Sequence, residues 1–150
     1  MKSDNPLRHF AIPLGIAVLV YVIFYAGIEH RRTRKGPWQV TFTNDASGAP
    51  SLVINEANLG ITNLQITFPG ETNRTQDTSM NFSQPREVPY DVPFGKCVFM
   101  DTTFLPGTIV FDLFGHEIQL IPRVLTIDKK EIPWQSGKAL AVSGTNAVKR

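Results

Sequence analysis

Residues 10–28 read FAIPLGIAVLVYVIFYAGI, nineteen positions without one side chain that is charged at neutral pH. As a helix this run rises about 28 Å, close to the ~30 Å hydrocarbon thickness of a bilayer. No other apolar stretch in the 150 residues approaches it in length. The chain therefore divides into a short tail with a membrane-anchor helix over 1–35, spanning hydrocarbon at about 10–28, and a distal part that must fold by other means.

Local signals set the ends of the helix. Asn5-Pro6 is a start signal, since Asn can accept from a free N–H and Pro fits the first turn. Gly36-Pro37 is a stop, and the basic side chains Arg31, Arg32, Arg34 and Lys35 before it suit both the helix dipole and anionic head groups. Pro13 should bend the helix near its entry. Ala11 and Gly15 form a small-xxx-small pair of a kind common in membrane helices for compositional reasons alone. A cleaved signal peptide is the rival reading. Its apolar region usually holds ~7–15 residues and ends in a small-x-small site, and this exit has none.

Charge separates the two parts. Residues 1–35 hold six Lys/Arg and two Asp/Glu, a formal +4, whereas 36–150 hold nine and eleven, a formal −2. The net +2 of the chain thus comes from the membrane flank, and nothing suggests a nucleic-acid partner, which would need a basic face on the folded domain. Four cations after the helix draw the domain toward the cytoplasm by the positive-inside rule. A composition rich in Asn, Thr, Ser and Pro, with sequons at Asn73 and Asn81, draws it the other way. The balance is read as extracytoplasmic.

From Trp38 onward the apolar period is two. Trp38, Val40 and Phe42 alternate with polar residues, as do Leu64, Ile66 and Phe68, with Leu52-Val53-Ile54 between them. Residues 70–87 are polar and patternless, and a loop of that length is usually functional or disordered. Val88, Tyr90, Val92 and Phe94 then share one side of an extended segment. Pro89 and Pro93 on one of its edges mark it as an edge strand or rim, a possible partner contact. Val98-Phe99-Met100 is apolar on both faces, like an inner strand. Ile109, Phe111 and Leu113 form a hairpin with Ile118 and Leu120, and keeping both apolar sets inward places Asp112 across from Glu117. Leu125 and Ile127 lead to a turn at 128–131, and Ile132-Pro133-Trp134 returns. Small and polar residues after that suggest a flexible tail over 136–150, leaving 36–135 as the domain. The expected fold is mainly β: one transmembrane helix followed by a small antiparallel β-sandwich or barrel-like domain.

Chemistry-bearing motifs are sparse. HExxH fails at GHEIQL, because Leu120 stands where the second His belongs. Asp112, His116 and Glu117 are the sole candidates for a metal site, weak ones, since His9 and His30 flank the membrane segment. Cys97, the one cysteine, lies in an apolar run and reads as a buried small hydrophobe. Trp38, Trp134 and Tyr90 are candidates for a ligand-stacking face or, more simply, core and rim aromatics. No Gly-rich phosphate loop or nucleophile elbow calls for a cofactor. The expectation is a non-enzymatic, single-pass protein in contact with the bilayer and with a membrane-protein partner, as an accessory or scaffold subunit. The alternatives are a tethered metal-binding or hydrolytic domain using the 112–117 hairpin, and a small-ligand-binding β domain.

Overall fold

The computed structural model describes residues 5–143. Helix α1 runs over Pro6–Thr33, with none of its residues buried, as a membrane span requires. Asn5 occupies the N-cap with an extended backbone, but its side chain makes no capping bond; its carbonyl accepts from Arg8 N–H at 2.9 Å instead. The helix stops two residues before the expected Lys35. Thr33 Oγ1 donates back to the Glu29 carbonyl (3.0 Å), and Glu29 also pairs with Arg32 (3.0 Å). Gly36 then takes φ +75°, a left-handed position that glycine occupies without penalty.

The distal unit, from Lys35 onward, is built from two sheets. The first contains β1 (Gln39–Asn44), β2 (Pro50–Glu56), β3 (Ile61–Thr67), β4 (Thr78–Asn81) and, at the far end of the chain, β11 (Ala139–Ala141). Its order is β11-β3-β2-β1-β4. The second contains β5 (Tyr90–Val92), β6 (Gly95–Asp101), β7 (Thr108–Leu113), β8 (His116–Ile121), β9 (Val124–Ile127) and β10 (Lys130–Ile132), each pairing with the next. Two-residue turns join four of its five pairs: Pro93-Phe94, Phe114-Gly115, Pro122-Arg123 and Asp128-Lys129. Two of these, Phe114-Gly115 and Asp128-Lys129, have positive φ at both positions, the turn whose twist matches that of the strands. Phe114 pays steric strain at φ +52°, offset by rings packed on it from Phe68 (5.2 Å) and Phe94 (5.5 Å).

The alternating apolar residues of both sheets meet in one buried cluster. Phe42 of β1 lies edge-on to Phe111 of β7 (6.0 Å), and Phe82 packs on the same Phe111 (5.5 Å). Trp38 is fully buried against Trp134 (5.1 Å), and each indole N–H finds a carbonyl: Gly107 for Trp38 (3.0 Å), Ile121 for Trp134 (2.9 Å). This pairing corrects the stacking-face reading. The two tryptophans satisfy one another and the core, and Tyr90 sits on a different strand.

Four further expectations change. The 70–87 segment is not structureless: β4 lies within it, paired to β1, and Phe82 just beyond is buried. Thr43 Oγ1 donates to Asp77 and Asn44 Nδ2 to the Thr75 carbonyl, so the end of β1 holds the preceding stretch in place. Next, the tail does not fray at 136. Ser136 Oγ bridges Gly60 O and Thr62 N, and β11 then pairs with β3 in parallel, so the sheets are not wholly antiparallel. The domain thus continues through at least 143; residues 144–150 lie outside those described. Third, β6 is not apolar on two covered faces. A bulge between Cys97 and Phe99 adds one residue, so Cys97 stays inward while Val98 and Phe99 are exposed. Fourth, β5 is an edge strand as expected, but Val92 and Phe94 are buried and Val88 and Tyr90 pack on the core beside them. That apolar side packs largely on the protein's own interior, with Val88 and Tyr90 left half-buried.

Candidate functional site

The hairpin that carried the metal hypothesis forms with the expected register, Asp112 opposite Glu117 and Leu113 opposite His116. Alternation along β8 then separates the trio. Glu117 shares the outer face with Asp112, while His116 turns inward and is nearly fully buried. There its Nδ1 meets Asp128 Oδ2 at 2.6 Å, and Asp128 Oδ1 accepts from Glu117 N–H at 3.0 Å. Asp128 reaches both from the β9–β10 turn, its backbone at φ +48° and its N–H on the Glu117 carbonyl (2.9 Å). The His–Asp pair therefore ties two adjacent turns together. Among the described residues no three His, Cys, Asp or Glu side chains gather as a metal set.

On the outer face the register adds a partner that sequence spacing missed. Lys96 of β6 stands opposite Asp112, and Asp91 of β5 opposite Lys96. Asp112 thus has a cation on one side and Glu117 on the other, and Glu117 accepts a bond from Gln119. Asp112→Asn would lose one attraction and one repulsion of similar size, each about 0.2–1 kcal/mol. The expected net change in stability is within about 0.5 kcal/mol, read as the thermal midpoint of the full chain in detergent. A midpoint that climbs with added calcium or zinc in the wild type alone would restore the cation reading.

Cys97 is fully buried, and burial pushes its thiol above its ordinary value. Burial likewise raises the Tyr90 phenol, which hydrogen-bonds the Cys97 sulfur; Arg86 lies over the Tyr90 ring at 4.2 Å. These groups form a closed structural cluster with the thiol held protonated.

A concavity lies at the other end of β1 from Trp38. A cleft of about 390 Å³ is framed by the β1–β2 loop and the segment after β3, with Asp45, Gly48, Thr67, Glu71 and Arg74 among its walls. The wall from the β1–β2 loop is folded by its own bonds. Asp45 Oδ1 accepts from Ser47 N–H (2.9 Å), Ser47 Oγ (2.6 Å) and Ala49 N–H (2.9 Å), which folds the loop and holds the carboxyl below its usual value. Across the cleft Arg74 closes over Gly48, its guanidinium 3.5 Å from where a β-carbon would stand. No family model, no curated protein and no solved structure matches this chain. The site must then be read from its own geometry. The cleft was not legible in the sequence, because it joins a loop at 45–49 to a stretch at 67–74 that lacks any period.

Glu56 is the one buried carboxylate of the first sheet. Its Oε1 accepts from Asn58 N–H (3.1 Å) and caps the short 3-10 turn Ala57–Leu59, while Oε2 has no hydrogen-bond partner among the described residues. Burial raises its pKa above 4.5, against the Asn58 bonds and the charge of Lys35. The sign follows directly. An acid with a raised folded pKa favours the native state when protonated, so that contribution fades as pH climbs from about 4.5 through the folded value. Glu56→Gln keeps the Oε1 acceptor and removes the charge. It should gain on the order of 1 kcal/mol at neutral pH, and the gain should shrink toward zero as the melt is repeated at pH about 4.

Proposed function

We propose that this protein is a non-enzymatic accessory or scaffold subunit whose β domain, a small two-sheet sandwich, binds another protein of a membrane complex. The supporting facts are the membrane-spanning helix, the folded β domain attached to it and, above all, the cleft. That cleft is the observation that carries the reading. One of its walls is folded by the Asp45 bonds, it presents both signs of charge through Glu71 and Arg74, and it lies at the end of the domain away from where the chain enters. A mixed-charge hollow of this kind suits a polar protein segment of complementary charge. The domain is read as extracytoplasmic on the uncharged outer face of its first sheet. That face carries Thr41, Ser79, Ser51, Thr67 and Gln65 in linked hydrogen bonds.

Photo-crosslinking in native membranes tests this. With the crosslinker at residue 71 or 74 of the full chain, a discrete adduct is expected that is absent when it sits at Glu131 on the second sheet. Glu71→Lys with the crosslinker at 74, and Arg74→Glu with it at 71, should each abolish the adduct without moving the thermal midpoint. Identical adducts from all three positions, or none from any, would remove the cleft from the account. The hydrolytic or metal alternative loses its geometric basis with His116 on the inner face.

A further inference from the structure

The end of the β domain where the chain enters is defined by its own hydrogen bonds. The Lys35 carbonyl accepts from Asn58 Nδ2 (2.6 Å), and three residues later Trp38 Nε1 donates to Gly107 O (3.0 Å). The second bond places the β6–β7 connection, residues 102–107, at that same end. The β8–β9 turn joins it there, because Trp134 stacks on Trp38 and bonds the Ile121 carbonyl.

This end carries the exposed apolar side chains of the domain. Phe104, on the 102–107 connection, is 58 % exposed; Phe99 and Val98, pushed outward by the bulge in the adjoining half of β6, are 48 % and 39 % exposed. Among the described residues they are the three large hydrophobics the domain leaves most open, and all the others of that rank belong to α1. Scattered exposed apolar residues need no explanation, but two consecutive ones in a strand, with an exposed phenylalanine three residues past its end, do. Cations accompany them: Lys35 at the entry and Arg123, exposed, in the β8–β9 turn. The acidic Asp101 is turned to the connection itself, accepting from Thr103 N–H at 3.0 Å.

Chain length limits what can cover this patch. Five residues separate Thr33, the last of α1, from Gln39, the first of β1. Fully extended they reach about 17 Å, and both Lys35 and Trp38 are already fixed to the domain. The connection thus sets an upper bound on how far the entry end can stand from the last residue of α1. We propose that Val98, Phe99 and Phe104 form an interfacial membrane contact that seats this end of the domain among lipid head groups, with Lys35 and Arg123 on the phosphates. Aromatic rings favour that boundary, and neighbouring cations add attraction to anionic lipid. The proposal stands apart from the cleft reading, since it concerns the opposite end and a lipid partner.

Spin labelling of the full chain in liposomes of phosphatidylcholine and phosphatidylglycerol tests it. Phe104→Cys carries one label and Thr72→Cys, exposed beside the cleft, the other; Cys97 is buried and stays unlabelled. The expected result is a ratio of oxygen to hydrophilic nickel-chelate accessibility several-fold higher at 104 than at 72. Val98→Cys should follow 104, which guards against a local effect of one substitution. Equal ratios at 104, 98 and 72 in pure lipid would overturn the proposal. So would shielding of 104 that occurs in native membranes and disappears in pure lipid, because a protein would then be the cover.

Discussion

Replacing Trp38 by alanine is expected to destabilise the β domain by about 3–5 kcal/mol. The indole is wholly buried, faces Trp134 at 5.1 Å and closes a hydrogen bond to Gly107 across the two sheets. Its loss would leave a cavity, an unpaired carbonyl and a partner ring without its neighbour. Domains of this size are stable by only about 5–15 kcal/mol, so the change consumes a large share of the total. Thermal melting of the β signal by circular dichroism, with the full chain in mild detergent, should fall by more than about 10 °C. Trp38→Phe should recover most of the packing and lose the hydrogen bond, for a smaller fall. A drop in Trp38→Ala worth under about 1 kcal/mol would mean that the residue is not the bolt between the sheets.

The second large effect belongs to Gly95. It opens β6 directly opposite Leu113 of β7, and a β-carbon there would overlap the Asp112 carbonyl oxygen of the neighbouring strand. The obstacle is backbone, which cannot swing aside as a side chain can. Gly95→Ala should therefore force β6 and β7 apart and cost about 3 kcal/mol or more. Gly115→Ala is the contrast. That site has open space around it, and only its φ of +78° is unfavourable, so roughly 1 kcal/mol is expected. Comparable losses from the two would show that the close approach of β6 and β7 is not real.

The parts of this fold that were legible in the sequence are those where one apolar pattern answers one question. The run at 10–28 has the length and composition of a span whatever surrounds it, and Ile109, Phe111, Ile118 and Leu120 admit one register, which the β7–β8 pairing shows. Three features escaped for physical reasons. β4 is an edge strand whose inward residues include a single large apolar one, Met80, so its alternation is invisible. β11 is two alanines around Leu140, held by bonds to β3 rather than by β-branched side chains. The bulge in β6 breaks period two at the point where Val98-Phe99 reads most like a buried strand. For the site, the spacing that put Asp112 beside Glu117 was right, but it could not show Lys96 across the next strand or Asp128 beneath His116. Each lies more than ten residues away, and sequence alone carries no distance between strands.

The central claim is that the N-terminal helix remains as an anchor on a separately folded β domain. Alkaline carbonate extraction of membranes containing the full chain, followed by intact-mass measurement of the retained protein, tests it most directly. The protein is expected to stay in the pellet with the mass of a chain that still includes 6–33. Release into the supernatant of a shorter form beginning near Glu29 would contradict it, because the helix would then be a removed leader and the β domain a free one.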